Sequence, residues 1–144
     1  MVKRRWLGFC GVISLLVLTG CGQTRTSDAD IRPVEYRQLV EMLGNPKKRT
    51  VLIDVRTARK FSDGHIPGAI NIPINQLRSG DSRLARAKNI VVYAAKPEDL
   101  LSRAAYKTLL RFGYQNLYDF QGGLMVWRSK HKTQGTPDQA REEG

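Results

Sequence analysis

The chain has 144 residues, enough for one domain around a single core and little beyond it. Its 24 Lys and Arg against 13 Asp and Glu give a formal net charge of +11, so the surface is strongly cationic. Two cysteines, Cys10 and Cys21, and two scattered histidines, His65 and His131, exclude a zinc centre built on thiolates.

Residues 1–20 read as a targeting segment. Lys3, Arg4 and Arg5 form its positive start, and the apolar run from Trp6 to Leu18 is shorter than the about 20 residues of a spanning helix. Leu18-Thr19-Gly20-Cys21 resembles the lipobox of bacterial lipoproteins, in which small residues precede an obligatory cysteine. The resemblance implies cleavage before Cys21, a diacylglyceryl group on its sulfur and an acylated amine. At roughly 0.8 kcal/mol per buried CH₂, several acyl chains make a lasting anchor. The expected location is therefore exported, lipid-anchored to a bacterial membrane and facing the periplasm or the cell exterior.

Cys10 leaves with the segment, so the chain from Cys21 onward carries no free thiol, no disulfide and no cysteine metal site. Its net charge is +8, which points to anionic lipid, an acidic envelope polymer or an acidic protein. The plainer alternative is a solubilising surface. Export argues against nucleic acid as a partner, no cofactor is expected, and the oligomeric state is open.

Residues 21–30 are polar and small after the lipidated Cys21, and are expected to be a flexible tether. The folded unit is expected over 31–132, with a frayed tail over 133–144. Val34, Leu39, Val40 and Leu43 recur at near-helical spacing, and Gly44-Asn45-Pro46 ends that helix. Thr50 to Ile53 is a short apolar run suited to a strand buried on both faces. Pro67-Gly68 reverses the chain before another short strand, and Asn89 to Tyr93 is the clearest strand of all. Leu101, Ala105, Leu109 and Phe112 mark one face of a helix that stops at Gly113. A strand over 116–119, the Gly122-Gly123 turn and a helix from Leu124 to Lys130 complete the order. Alternating strands and helices define an α/β fold: three layers with a small, mostly parallel central sheet flanked by helices.

Three motifs in this order resemble the rhodanese family. Leu52-Ile53-Asp54-Val55-Arg56 is similar to its strand ending in Asp-x-Arg. Phe61-Ser62-Asp63-Gly64-His65-Ile66-Pro67-Gly68-Ala69-Ile70-Asn71-Ile72-Pro73 resembles its signature almost position for position. Gln121-Gly122-Gly123-Leu124-Met125-Val126-Trp127 resembles the start of its closing helix. The resemblance covers the whole domain and implies a sulfurtransferase fold. Each motif also has a direct physical reading: Asp54 and Arg56 fix a strand-to-helix turn, Gly122 and Gly123 permit close approach, and Trp127 covers the edge of the core. His65 is expected to bond a loop carbonyl, and Tyr106, Tyr114, Tyr118 and Trp127 to pack in the core or at its rim.

In the family, the loop after the central strand carries a cysteine whose thiolate accepts sulfur and passes it on as a persulfide. Here the loop reads Ala94-Ala95 and is about one residue longer than the common form, so either Ala94 or Ala95 stands at that position, and alanine has no lone pair to offer. Pro97, Glu98 and Asp99 suit the first turn of a helix, where two carboxylates occupy the field an anion would use. Lys96 and Arg103 remain nearby. Ser102 is a nearby hydroxyl with no base recognisably paired to it. The resulting reading is a catalytically inactive rhodanese-like lipoprotein, a membrane-tethered binding or scaffold module with no catalytic residue. The alternatives are a sulfurtransferase-related enzyme with a displaced or partner-supplied thiol, and a structural lipoprotein whose basic surface lies against anionic lipid or wall polymer.

Overall fold

A computed structural model describes residues 27–97 and 99–134. The targeting segment, Cys21, most of the tether, Glu98 and the tail from 135 onward lie outside the described residues.

Four short strands form one all-parallel sheet: β1 (Thr50–Asp54), β2 (Ile70–Asn71), β3 (Asn89–Tyr93) and β4 (Leu117–Asp119). Their spatial order is β2-β1-β3-β4. β1 and β3 run in register along their whole length, from Thr50 beside Asn89 to Asp54 beside Tyr93. Parallel neighbours need crossovers that cover both faces, which is why these strands read as near-continuous apolar runs.

Alternation along β3 divides the core in two. Ile90 and Val92 pack with Ile53, Leu77, Leu84, Ala105 and Leu109, on the side of α3 (Leu101–Arg111). Val91 and Tyr93 pack with Leu39, Leu52, Ile66, Phe120 and Trp127, under α1 (Tyr36–Gly44) and α4 (Gly123–Gln134). A further helix, α2 (Ala58–Ser62), follows β1 and is capped by Thr57, whose hydroxyl accepts from the Lys60 N–H at 3.4 Å.

Four expectations are corrected. Residues 27–30 are not tether: Ser27 caps a 3-10 turn over Asp28–Asp30, Lys107 pairs with Asp28 at 2.6 Å, and the Tyr106 hydroxyl bonds the Asp30 carbonyl at 2.8 Å. α4 continues to Gln134, beyond the expected Lys130. Helix α3 begins at Leu101 rather than at Pro97, because the Asp99 carboxylate accepts from the Leu101 N–H at 3.0 Å and holds the preceding residues as a loop. On the apolar faces, Val40 and Phe112 are exposed and Met42 is buried in the core beside Leu39, whereas Tyr106 is buried beside Leu109 as expected.

Candidate functional site

The loops at the C-terminal edge of the sheet converge on a cleft, and its floor is set where β1 ends. Asp54 is fully buried and Arg56 is only 7% exposed. Three side-chain bonds join them, Arg56 Nε to Oδ1 at 2.9 Å and to Oδ2 at 3.1 Å, and Nη2 to Oδ2 at 2.6 Å. The Arg56 backbone N–H adds a fourth at 3.0 Å, and Nη2 also donates to the Gly64 carbonyl at 2.8 Å. Asn71 Nδ2 then ties the Asp54 and Arg56 carbonyls together at 2.9 Å each. A buried charge pair is tolerated when hydrogen bonds satisfy it, and here both Asp54 oxygens accept from Arg56. The bonded carboxylate pushes the Arg56 guanidinium further up from its ordinary value.

The segment after α2 is shaped by glycine and proline. Pro67 and Gly68 occupy the centre of a turn closed by the Ala69 N–H to the Ile66 carbonyl at 3.0 Å, with Gly68 at φ +82° as a type II turn requires. The Ile66 N–H donates to the buried Tyr93 hydroxyl at 3.1 Å, joining this segment to β3. Burial pushes the Tyr93 phenol up, so it stays a neutral hydroxyl. His65 is exposed, stacks on Phe61 with ring centroids 3.8 Å apart, and its Nδ1 bonds the Phe61 carbonyl at 3.0 Å.

The opposite wall is the loop after β3 together with the first turns of α4. The Leu124 N–H donates to the Ala94 carbonyl at 3.0 Å and the Met125 N–H to the Ala95 carbonyl at 2.9 Å, so otherwise orphaned donors of α4 grip this loop. The approach depends on Gly123 at φ +58°, where a Cβ would lie 2.7 Å from the Ala94 oxygen. A Cβ on Gly122 would meet Val126 at 2.8 Å. Trp127 points to the other side of α4, where it covers core cluster residues and stacks on His131 at 4.3 Å.

Between these walls lies a cleft of ≈ 430 Å³ lined by Arg56, Ala95, Leu124, Met125, Arg128 and Ser129. Arg128 reaches across to Gly64, where a Cβ would run into its guanidinium. Among the described residues no carboxylate pairs with Arg128. Of the two alanines, Ala94 is buried in the core under α3, and Ala95 lines the cleft. Side chains alternate along β3 and into the residue after it, which turns Ala94 to the same face as Ile90 and Val92. His65 and Trp127 do not line the cleft, and no group of three or more His, Cys, Asp or Glu side chains able to hold a metal occurs among the described residues.

Sequence reasoning passed over Arg128 as one of many scattered charges. Its signal was spacing: Leu124 and Arg128 are four apart and share a helix face just after a glycine pair that docks the helix. It also passed over Asp119, fully buried at the end of β4 with neither oxygen in a hydrogen bond. Burial pushes its carboxyl up, and Ser102, Arg103 and Gln121 nearby pull only partly the other way.

An all-parallel sheet with helices on both faces, and a cleft at its C-terminal edge between an Asp-x-Arg turn and a glycine-docked helix, define a sulfurtransferase-type α/β domain. The chain belongs to the rhodanese-like family, whose domain model matches residues 35–130. It is 34% identical over 85 residues to the uncharacterized protein YqhL of Bacillus subtilis, covering 59% of this chain and 66% of that one. It is also 34% identical over 107 residues to the adenylyltransferase and sulfurtransferase uba4 of Ogataea parapolymorpha, covering 74% of this chain but 26% of that protein. The crystal structure of BH2092 from Bacillus halodurans superposes with a TM-score of 0.63 at 25% identity, over 69% of this chain and 73% of that one. The chain thus spans less than two thirds of the length of these curated relatives, and about a quarter in the case of uba4.

Proposed function

We propose that this protein is a rhodanese-like module without sulfur-transfer chemistry, held at a bacterial membrane through Cys21 and using its cleft to bind a partner. The observation that carries this reading is that the cleft is built but unarmed. Ala95 lines it, Ala94 lies beneath it, and no cysteine occurs after Cys21. A persulfide requires a thiolate positioned before substrate arrives, and neither alanine supplies one.

What remains at the cleft favours recognition. The exposed Met125 and the flexible guanidinium of Arg128 give an adaptable apolar surface beside an unpaired positive charge. An acidic segment of an envelope protein has the matching chemistry. A second reading keeps the sulfurtransferase lineage: Arg128 borders the cleft and has no carboxylate partner among the described residues, so a thiol brought by a partner would meet its positive charge.

Intact-mass measurement of the chain after incubation with thiosulfate tests the first reading. The expected result is no sulfur adduct once Cys10 and Cys21 are replaced by Ser. An adduct on that variant contradicts it.

A further inference from the structure

At the N-terminal edge of the sheet, opposite the cleft, a groove of ≈ 710 Å³ opens beside Lys47, Lys48 and Lys88. The Lys88 N–H donates to the Arg49 carbonyl at 3.0 Å, tying the two basic segments 47–49 and 86–88 side by side. No acidic side chain lines the groove. Lys48 pairs with Glu41 at 2.7 Å, whereas Lys47, Arg49, Arg86 and Lys88 are exposed and have no carboxylate partner among the described residues.

The upstream chain runs beside α3 before it joins the sheet, with Asp28 on Lys107 and Asp30 on the Tyr106 hydroxyl. Pro33 pairs in parallel with Asp119, so the residues before it come up alongside β4 from its N-terminal side. Asp30 and Arg32 line a hollow that shares Tyr114, Gln115 and Asn116 with the basic groove. Five residues, 22–26, separate Cys21 from Ser27, and the stretch from one to the other spans at most about 20 Å when fully extended. A lipid on Cys21 and an uncleaved apolar run over residues 6–18 both put residue 21 at a membrane surface.

We infer that the basic groove faces the membrane and binds anionic phospholipid head groups, which turns the Arg56–Arg128 cleft outward toward its partner. The inference rests on the membrane tether proposed above. Cationic patches alone are common solubilising faces; a short tether that leads into Asp30, in the hollow adjoining the groove, selects the membrane as the occupant. Each Lys or Arg near an anionic leaflet strengthens attachment about five-fold, and the attraction fades beyond a Debye length of about 8 Å at physiological salt. A tether this short keeps the groove close to its own surface, so the groove sets orientation more than affinity.

The test is amine-reactive footprinting of the full chain, purified from bacterial membranes and reconstituted into phosphatidylcholine vesicles with or without phosphatidylglycerol. Protection of Lys47, Lys48 and Lys88 is expected to rise several-fold on the anionic vesicles and to vanish at high salt. Lys60 and Lys96, at the cleft end, are expected to stay reactive on both. Equal reactivity of the groove lysines on both vesicles overturns the inference, as does protection of Lys60 and Lys96 instead. Groove protection that appears only on adding polyglutamate assigns the surface to an acidic protein and overturns it too. Flotation of the chain and of a Cys21→Ser variant with neutral vesicles reads the tether separately. A chain that floats while its groove lysines stay reactive has lost the orientation and kept the tether, whereas one that does not float has lost both.

Discussion

Gly123 sits against the carbonyl of Ala94 so closely that a Cβ would lie 2.7 Å from that oxygen. The contact lets the Leu124 and Met125 N–H groups bond the Ala94 and Ala95 carbonyls, and those bonds seat α4 against the loop that floors the cleft. Two obstacles therefore meet any side chain here, a left-handed backbone at φ +58° and a rigid backbone neighbour. Gly123→Ala is expected to cost about 2 kcal/mol or more, measured by urea denaturation. A loss below about 0.5 kcal/mol, the range of ordinary surface changes, would mean that α4 does not dock this way.

Arg56→Met strands the Asp54 carboxylate, which is fully buried and has Arg56 as its side-chain partner. Removing one member of a buried ion pair costs about 3–5 kcal/mol. Arg56→Lys recovers little of this, because an ammonium cannot donate in parallel to both carboxylate oxygens and still reach the Gly64 carbonyl. Thermal denaturation of both variants checks the order: wild type first, Lys second, Met last.

Asp81 gives stability that acid removes. Its carboxylate is held by Arg83 at 2.6 Å and accepts from the Arg83 N–H at 3.0 Å, and this brings its pKa down to about 2. The unfolded chain takes up that proton near pH 3.9, so the contribution is complete above that value and is lost as pH falls toward 2. Asp81→Asn keeps the cap but loses the ion pair with the partly exposed Arg83, so it is expected to cost at most about 1 kcal/mol at pH 7 and to be indistinguishable from wild type near pH 2.

Asp119 works in the opposite sense. Burial pushes its carboxyl up by more than Ser102, Arg103 and Gln121 pull it down, so the folded protein holds this proton longer than the unfolded chain does. Its contribution is therefore complete below about pH 3.9 and falls as pH rises toward the raised value. Asp119→Asn is expected to flatten that fall, seen as a stability gain over wild type that grows upward from about pH 4. Parallel pH profiles for the two proteins would show that the carboxyl is solvated after all.

Strands were the legible part of this sequence. Ile90 to Tyr93 has to be apolar throughout because both faces of β3 are covered, and its bounds are those the residues suggest. Positions that depend on two segments meeting were not legible. Pro97 and Asp99 carry the residue types of a helix start, yet Asp99 spends its carboxylate on the Leu101 N–H and delays the helix. Phe112 falls off the buried face because α3 ends at Arg111, where the helical period no longer applies. Arg128 looks like any solvated helix charge until Gly64 is brought beneath it. Which alanine faces the cleft likewise depends on how α4 docks, and that docking involves residues about 30 positions away.

The central claim, that the cleft is built but unarmed, is tested most directly by thiosulfate:cyanide sulfurtransferase turnover of the full chain beside an Ala95→Cys variant. The account predicts no rate above buffer for the unmodified chain. Turnover by that chain would contradict it.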